Sequence, residues 1–227
     1  MKFKALAFDL DDTLIDTSGL LVPKASRAAF EAMIKIGLNI NFDQFDKIRQ
    51  TKALSINHRQ IFADIAKEFG SPDAEKVLTA AGIEAFYNPV LPDHLPLLPG
   101  ALESIDYLKN KYRLFLVTSG SIPTQKEKVQ RTGLSPIFEK CYFVDGFNKG
   151  RKREAFLEII QLTSCAPQEL LAIGNRLSQE IHDAKEVGSM TCYFEYGEHV
   201  GEKARNSFEI PDFTIRSHTD LVRVCQL

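Results

Sequence analysis

The feature that most limits what this chain can fold into is a set of short, unbroken apolar runs. They are "ALAF" (5–8), "LFLVT" (114–118), "CYFV" (141–144), "LLAIG" (170–174) and "TCYF" (191–194), with "FTI" (213–215) as a weaker sixth. Their hydrophobicity is continuous rather than alternating, as strands covered on both faces require. Helical periodicity fills the gaps between them. Phe156, Ile159, Ile160 and Thr163 fall at i, i+3, i+4 and i+7, and Leu102, Ile105 and Leu108 mark one face of another helix. In "SIPTQKEKVQRTG", Pro123 stands near a helix start and Gly133 at its end. Strands alternating with helices predict right-handed βαβ units, hence an α/β fold with a Rossmann-like parallel sheet.

Residues 16–95 break that rhythm. They hold no convincing strand but several helical stretches, "PKASRAAFEAMIKIG", "FDQFDKIRQ", "INHRQIFADIAKEFG" and "DAEKVLTAAGIEAFY". Prolines at 89, 92, 96 and 99 then make a semi-rigid return. The expected organisation is a core of residues 1–15 and 96–227 carrying an inserted all-helical module, 16–95. A formal charge of −2 argues against broad attachment to nucleic acid or an anionic membrane. Cys141, Cys165, Cys192 and Cys225 are too dispersed for a zinc or redox motif and suit reduced, buried thiols. The apolar run in "MKFKALAFDL" is too short for a signal peptide, and no stretch is long enough to span a bilayer. The expected compartment is the cytoplasm.

The chemistry concentrates where the runs end. "FDLDDTLIDTS" (8–18) places Asp9, Asp11 and Asp12 within four positions of one another, just past the first strand. Ligands of open α/β sheets bind at that edge. Clustered carboxylates repel unless a cation joins them, and Mg²⁺ with oxygen ligands is the natural one. The plainer alternative is a solvated loop or a helix cap at Asp12. The second strand ends in "VTSG", offering the Thr118 hydroxyl and the backbone N–H groups of Ser119 and Gly120 to a phosphate, though such residues also make turns. The third leads into "NKGRKREAF", where a lysine at a helix start opposes the dipole unless an anion sits there. The fourth leads into "IGNRLSQEIHDAK", with Asn175 and then Glu180.

Acid, hydroxyl, lysine and amide/acid in that order resemble the four motifs of the haloacid dehalogenase-like hydrolase superfamily, over nearly the whole chain. "DLDDT" matches the family's D-x-D-x-T, and the helical insert falls where its C1 cap domain does. The resemblance implies Asp9 as nucleophile, Asp11 as general acid/base, and Thr118 and a lysine as phosphate ligands beside Ser119 and Gly120. That lysine is Lys152, four residues before Phe156, with Lys149 as the alternative. Asp9, Asp11, Asn175 and Glu180 would be the Mg²⁺ ligands. Asn175 departs from the family's acid, and Glu180 is one methylene longer than its aspartate; Asp183 is a further candidate acid. The implied activity is Mg²⁺-dependent hydrolysis of a small phosphorylated metabolite through an aspartyl-phosphate. A phosphomutase and a non-catalytic phospho-ligand sensor are the alternatives, while Asp11 argues against haloacid dehalogenation. His58, Arg59 and His94 read as surface or helix-start residues.

Overall fold

The computed structural model describes residues 3–148 and 150–227. It divides into two compact units: residues up to Asp16 together with Pro92–Leu227, and Thr17–Leu91.

In the first unit, strand β1 (Ala5–Phe8) precedes the excursion into the second. The second unit is helical throughout: α1 (Thr17–Leu20), α2 (Val22–Ile36), α3 (Phe42–Ala53), α4 (His58–Phe69) and α5 (Glu75–Tyr87). The chain then resumes α/β alternation with α6 (Ala101–Leu108), β2 (Arg113–Gly120), α7 (Ile122–Thr132), β3 (Lys140–Asp145) and α8 (Arg153–Thr163). It continues through β4 (Leu170–Gly174), a π-helical turn (Leu177–Ile181), α9 (His182–Glu186), β5 (Met190–Phe194), β6 (Phe213–Ile215) and α10 (His218–Cys225).

The six strands form one parallel sheet in the order β3-β2-β1-β4-β5-β6. β1 therefore lies between β2 and β4, with Ala7 beside Phe115 on one side and Ala172 on the other. Progression runs outward in both directions from β1, which makes the carboxyl ends of β1 and β4 the switch point where such sheets bind ligands. Every residue of β1 and β4 is buried, as continuous apolar runs require. One face packs Ala5, Ala7, Phe115 and Val117 against Phe156 and Ile159 of α8. β2 outruns its apolar stretch because Ser119 and Gly120 still pair with Val144 and Asp145 of β3. That extension carries the polar "TSG" segment along the sheet instead of into a loop.

The helical unit has its own core, in which Ala25, Ala29 and Met33 of α2 meet Phe45, Phe62, Leu78 and Phe86. Asn41 and Asn57 cap α3 and α4, accepting from the N–H groups of Gln44 (2.9 Å) and Gln60 (3.0 Å). Gly82 lies mid-helix in α5 despite its poor propensity. A Cβ there would fall 2.7 Å from Met33 Sδ, so only glycine admits so close an approach.

Candidate active site

The site begins where β1 stops. The Asp9 N–H still bonds to the Ile173 carbonyl (2.9 Å), so Asp9 is fixed as if it were one more strand residue. The chain then turns tightly: the Leu10 carbonyl accepts from Leu14 (2.8 Å) and Ile15 (3.1 Å). Asp12 takes a left-handed φ of 53° within that turn, with its buried carboxylate against Gly197.

Asp9 is 5% exposed and receives the Lys152 ammonium on Oδ1 at 2.5 Å, with the Thr13 hydroxyl 3.5 Å from Oδ2. Lys152 immediately precedes α8, is 3% exposed, and also bonds Glu180. The second Glu180 oxygen accepts from the Arg176 N–H (3.0 Å), so both oxygens of this buried acid are engaged by protein donors. Gly174 makes the approach possible, since a Cβ there would lie 2.5 Å from Glu180 Cγ. One buried ammonium thus faces two buried carboxylates. Burial pushes the Asp9 carboxyl up, Lys152 pulls it down, and Glu180 and Asp11 push it up again, leaving it at about 7. Burial works against the Lys152 ammonium, but Asp9 and Glu180 outweigh it and hold its pKa above the ordinary lysine value.

Asp11 faces different partners. Lys128 Nζ donates to its Oδ1 at 2.7 Å and Gln125 Nε2 to its Oδ2 at 2.7 Å. The same Gln125 nitrogen lies 2.5 Å from Thr118 Oγ1 and 3.1 Å from the Ser119 carbonyl. Gln125 and Lys128 are buried residues one turn apart on α7, on the face that carries Val129 and Thr132. Neither stands out in the sequence as a site residue. The available signal is their spacing of three from each other and of four from Val129 and Thr132, which places a glutamine and a lysine on the apolar stripe.

Asn175, buried directly after β4, donates its amide to the Tyr196 carbonyl at 3.3 Å. Thr118, Asp9, Lys152, Asn175 and Glu180 are all buried and come from the ends of β2, β1, β4 and the start of α8, or just beyond them. Asp183 is engaged elsewhere, accepting from Arg151 (2.5 Å) and from the Arg153 N–H (3.3 Å). With His182 and Glu186 it forms a group whose ligand atoms could hold a metal, but the Arg151 guanidinium already bonds all three. Arg151 is exposed and Arg153 half-buried, unlike the buried Lys152, and Lys149 lies outside the described residues. His58 opens α4, stacked 4.2 Å from the Phe86 ring, while Arg59 and His94 are exposed.

A carboxylate fixed at a strand end, an ammonium on it, a hydroxyl on the neighbouring strand and a second acid on separate donors lie together at this edge, an arrangement with the groups that displacement at an anionic centre requires. Residues 3–188 match the haloacid dehalogenase-like hydrolase family, and the chain belongs to it. Among curated relatives, it is 29% identical to the glyceraldehyde 3-phosphate phosphatase of Methanopyrus kandleri, over 97% of this chain and 96% of that one. It is 30% identical to the enzyme of the same name from Pyrococcus furiosus, over 99% and 94%. The fold matches the HAD-hydrolase YfnB of Bacillus subtilis, solved bound to magnesium, with a TM-score of 0.70 at 19% identity over 98% of each chain. Among the described residues, no helix is long and apolar enough to cross a membrane.

Proposed function

We propose that this hydrolase is a Mg²⁺-dependent phosphatase of small phosphate monoesters that works through a phospho-enzyme on Asp9. The observation that carries this reading is the division of labour between two acids two residues apart. Asp9 is buried on Lys152 at the strand end, whereas Asp11 is held by Lys128 and Gln125. A single acid cannot both carry the phosphoryl group and move protons for it.

In the first half, an Asp9 carboxylate oxygen attacks phosphorus and the bond to the leaving oxygen breaks. Asp11 gives that oxygen its proton. In the second half, Asp11 takes a proton from water, the water oxygen attacks phosphorus, and the bond to Asp9 breaks. Phosphate leaves and both acids return to their starting forms. Lys152 and the Thr118 hydroxyl are placed to offset charge on the phosphoryl oxygens.

The donor set fits Mg²⁺: hard oxygen ligands, with two buried carboxylates against one ammonium and an Asp9 carboxyl raised by its burial and by the neighbouring Glu180 and Asp11. Asp9 and Asn175 would hold the ion, while Asp11, engaged by Lys128 and Gln125, and Glu180, engaged by Lys152 and the Arg176 N–H, would contribute their charge. Bound there, Mg²⁺ would screen the substrate's negative charge from the attacking carboxylate. Asn175 in place of an acid lowers the negative charge of the set and implies looser metal binding.

The curated relatives are named for glyceraldehyde 3-phosphate, so a three-carbon phosphate is the first substrate to test. Purified protein with Mg²⁺ is expected to release phosphate from glyceraldehyde 3-phosphate, and a chelator is expected to abolish the release reversibly. Phosphate binding without turnover, across a panel of phosphorylated metabolites, would replace this reading with a sensor.

A further inference from the structure

The Asp11 contacts define a device that the proposed chemistry leaves unexplained. Both carboxylate oxygens accept from α7, Oδ1 from Lys128 and Oδ2 from Gln125, each at 2.7 Å. Lys128 is 7% exposed and Gln125 3% exposed, so neither donor is a mobile surface side chain. A carboxylate and a carbonyl accept only, and Gln125 meets one of each, Asp11 and Ser119. Its nitrogen, not its oxygen, must therefore face them. Thr118 Oγ1 accepts from that same nitrogen at 2.5 Å, which leaves the hydroxyl proton free to donate elsewhere. One glutamine amide thus joins the acid at the end of β1 to the hydroxyl on β2.

One donor from α7 on each oxygen fixes the orientation of the Asp11 carboxylate at the end of β1. A carboxylate oxygen has more than one acceptor site, so a donor on it does not by itself prevent it from taking a proton from water. We infer that Lys128 is a positioning residue for the second half of the reaction, holding Asp11 as the base that activates water against the phospho-enzyme, with Gln125 fixing the other oxygen. This inference rests on the reading of Asp11 as the proton-moving acid. Lys128 does not touch substrate in this role; it acts through Asp11.

A step-specific assay separates this role from simple support of the fold. An aryl phosphate with a good leaving group needs no proton in the first half, so kcat/KM reports attack by Asp9 alone. Once phospho-enzyme hydrolysis is slowed, kcat reports the second half. Lys128→Met is expected to lower kcat by about 10-fold or more, part of the ~10²–10⁴ that a general base supplies. It should leave kcat/KM within a few-fold, so KM falls together with kcat. Pre-steady-state release of the aryl alcohol should then show a burst approaching the enzyme concentration. Lys128→Arg, which keeps the charge and the donor, should restore most of kcat and remove the burst.

Asp11→Asn is the reference variant in the same assay. If it accumulates phospho-enzyme while Lys128→Met loses kcat and kcat/KM together without a burst, Lys128 only supports the fold and the inference is overturned. If Asp11→Asn gives no burst either, Asp11 is not the base and the inference falls with that reading. Thermal unfolding of each variant identifies any loss of folded protein, and a burst scaled to the folded fraction still reads the step.

Discussion

Each of the two units sets a buried cation against an acid, and to different effect. In the helical unit, Arg49 is 4% exposed and donates to Asp46 at 2.9 Å, and Asp46 also accepts from Ser26 (2.7 Å) and Gln50 (2.6 Å). Burial pushes Asp46 up, but these hydrogen bonds outweigh it and hold its carboxyl below the ordinary value. At the sheet edge, Lys152 serves Asp9 and Glu180 together, and Asp9 rises to about 7. The helical unit surrounds one carboxylate with three donors and gains a fixed structure. The sheet edge buries two carboxylates on one ammonium, which suits the proposed role of receiving a cation and a phosphate.

Breaking the two clusters in parallel tests that contrast. The largest stability effect is expected from Lys152→Met, which leaves Asp9 and Glu180 buried without their ammonium. Removing one member of a buried ion cluster costs roughly 3–5 kcal/mol. Adding Glu180→Gln to Lys152→Met should recover part of that loss, because the repulsion and not the missing contact dominates. Denaturant unfolding in chelator measures both; equal stability of the single and double variants would refute a charge excess at this edge.

Arg49→Met should cost less, about 1–3 kcal/mol, the penalty of leaving polar partners unsatisfied. Asp46 is only partly buried and keeps Ser26 and Gln50. The same unfolding curves supply the comparison, and a loss at Arg49 exceeding that at Lys152 would invert the ranking.

The last contrast is one of sign. Asp46 has a lowered pKa, so the stability it contributes is present above its unfolded value and is lost as pH falls through the folded value. Asp9 has a raised pKa: the folded state holds its proton more tightly, so stability falls as pH rises from about 4 towards 7. Without Mg²⁺, wild type should therefore lose on the order of 5–10 °C in Tm relative to Asp9→Asn on going from pH 4.5 to pH 7.5. Relative to Asp46→Asn it should lose stability only in acid. Parallel pH profiles for the two pairs would erase the distinction.

These contrasts also show what a sequence can display. The strands were legible because burial on both faces demands continuous hydrophobicity, and β4 matches its run residue for residue. Asp9 was legible from its place at the end of such a run. Gln125 and Lys128 were not, because polar residues on a helix ordinarily face water. Only the fold, across 117 residues of chain, shows that Lys128 meets Asp11. The burial of Glu180 was equally hidden, since it depends on Lys152, 28 residues away, and on the π-helical turn that delivers it. Asp183, which resembles a site acid in sequence, is held by an arginine that is itself exposed.

The most direct test of Asp9 as nucleophile is to trap the phospho-enzyme. Wild-type protein is mixed with Mg²⁺ and a substrate labelled in its phosphate, quenched in acid during turnover, digested and mapped. The expected result is a hydroxylamine-labile label on the peptide containing Asp9, absent from Asp9→Asn and increased in Asp11→Asn. Turnover by wild type with no labelled peptide, or with the label on another residue, would contradict it.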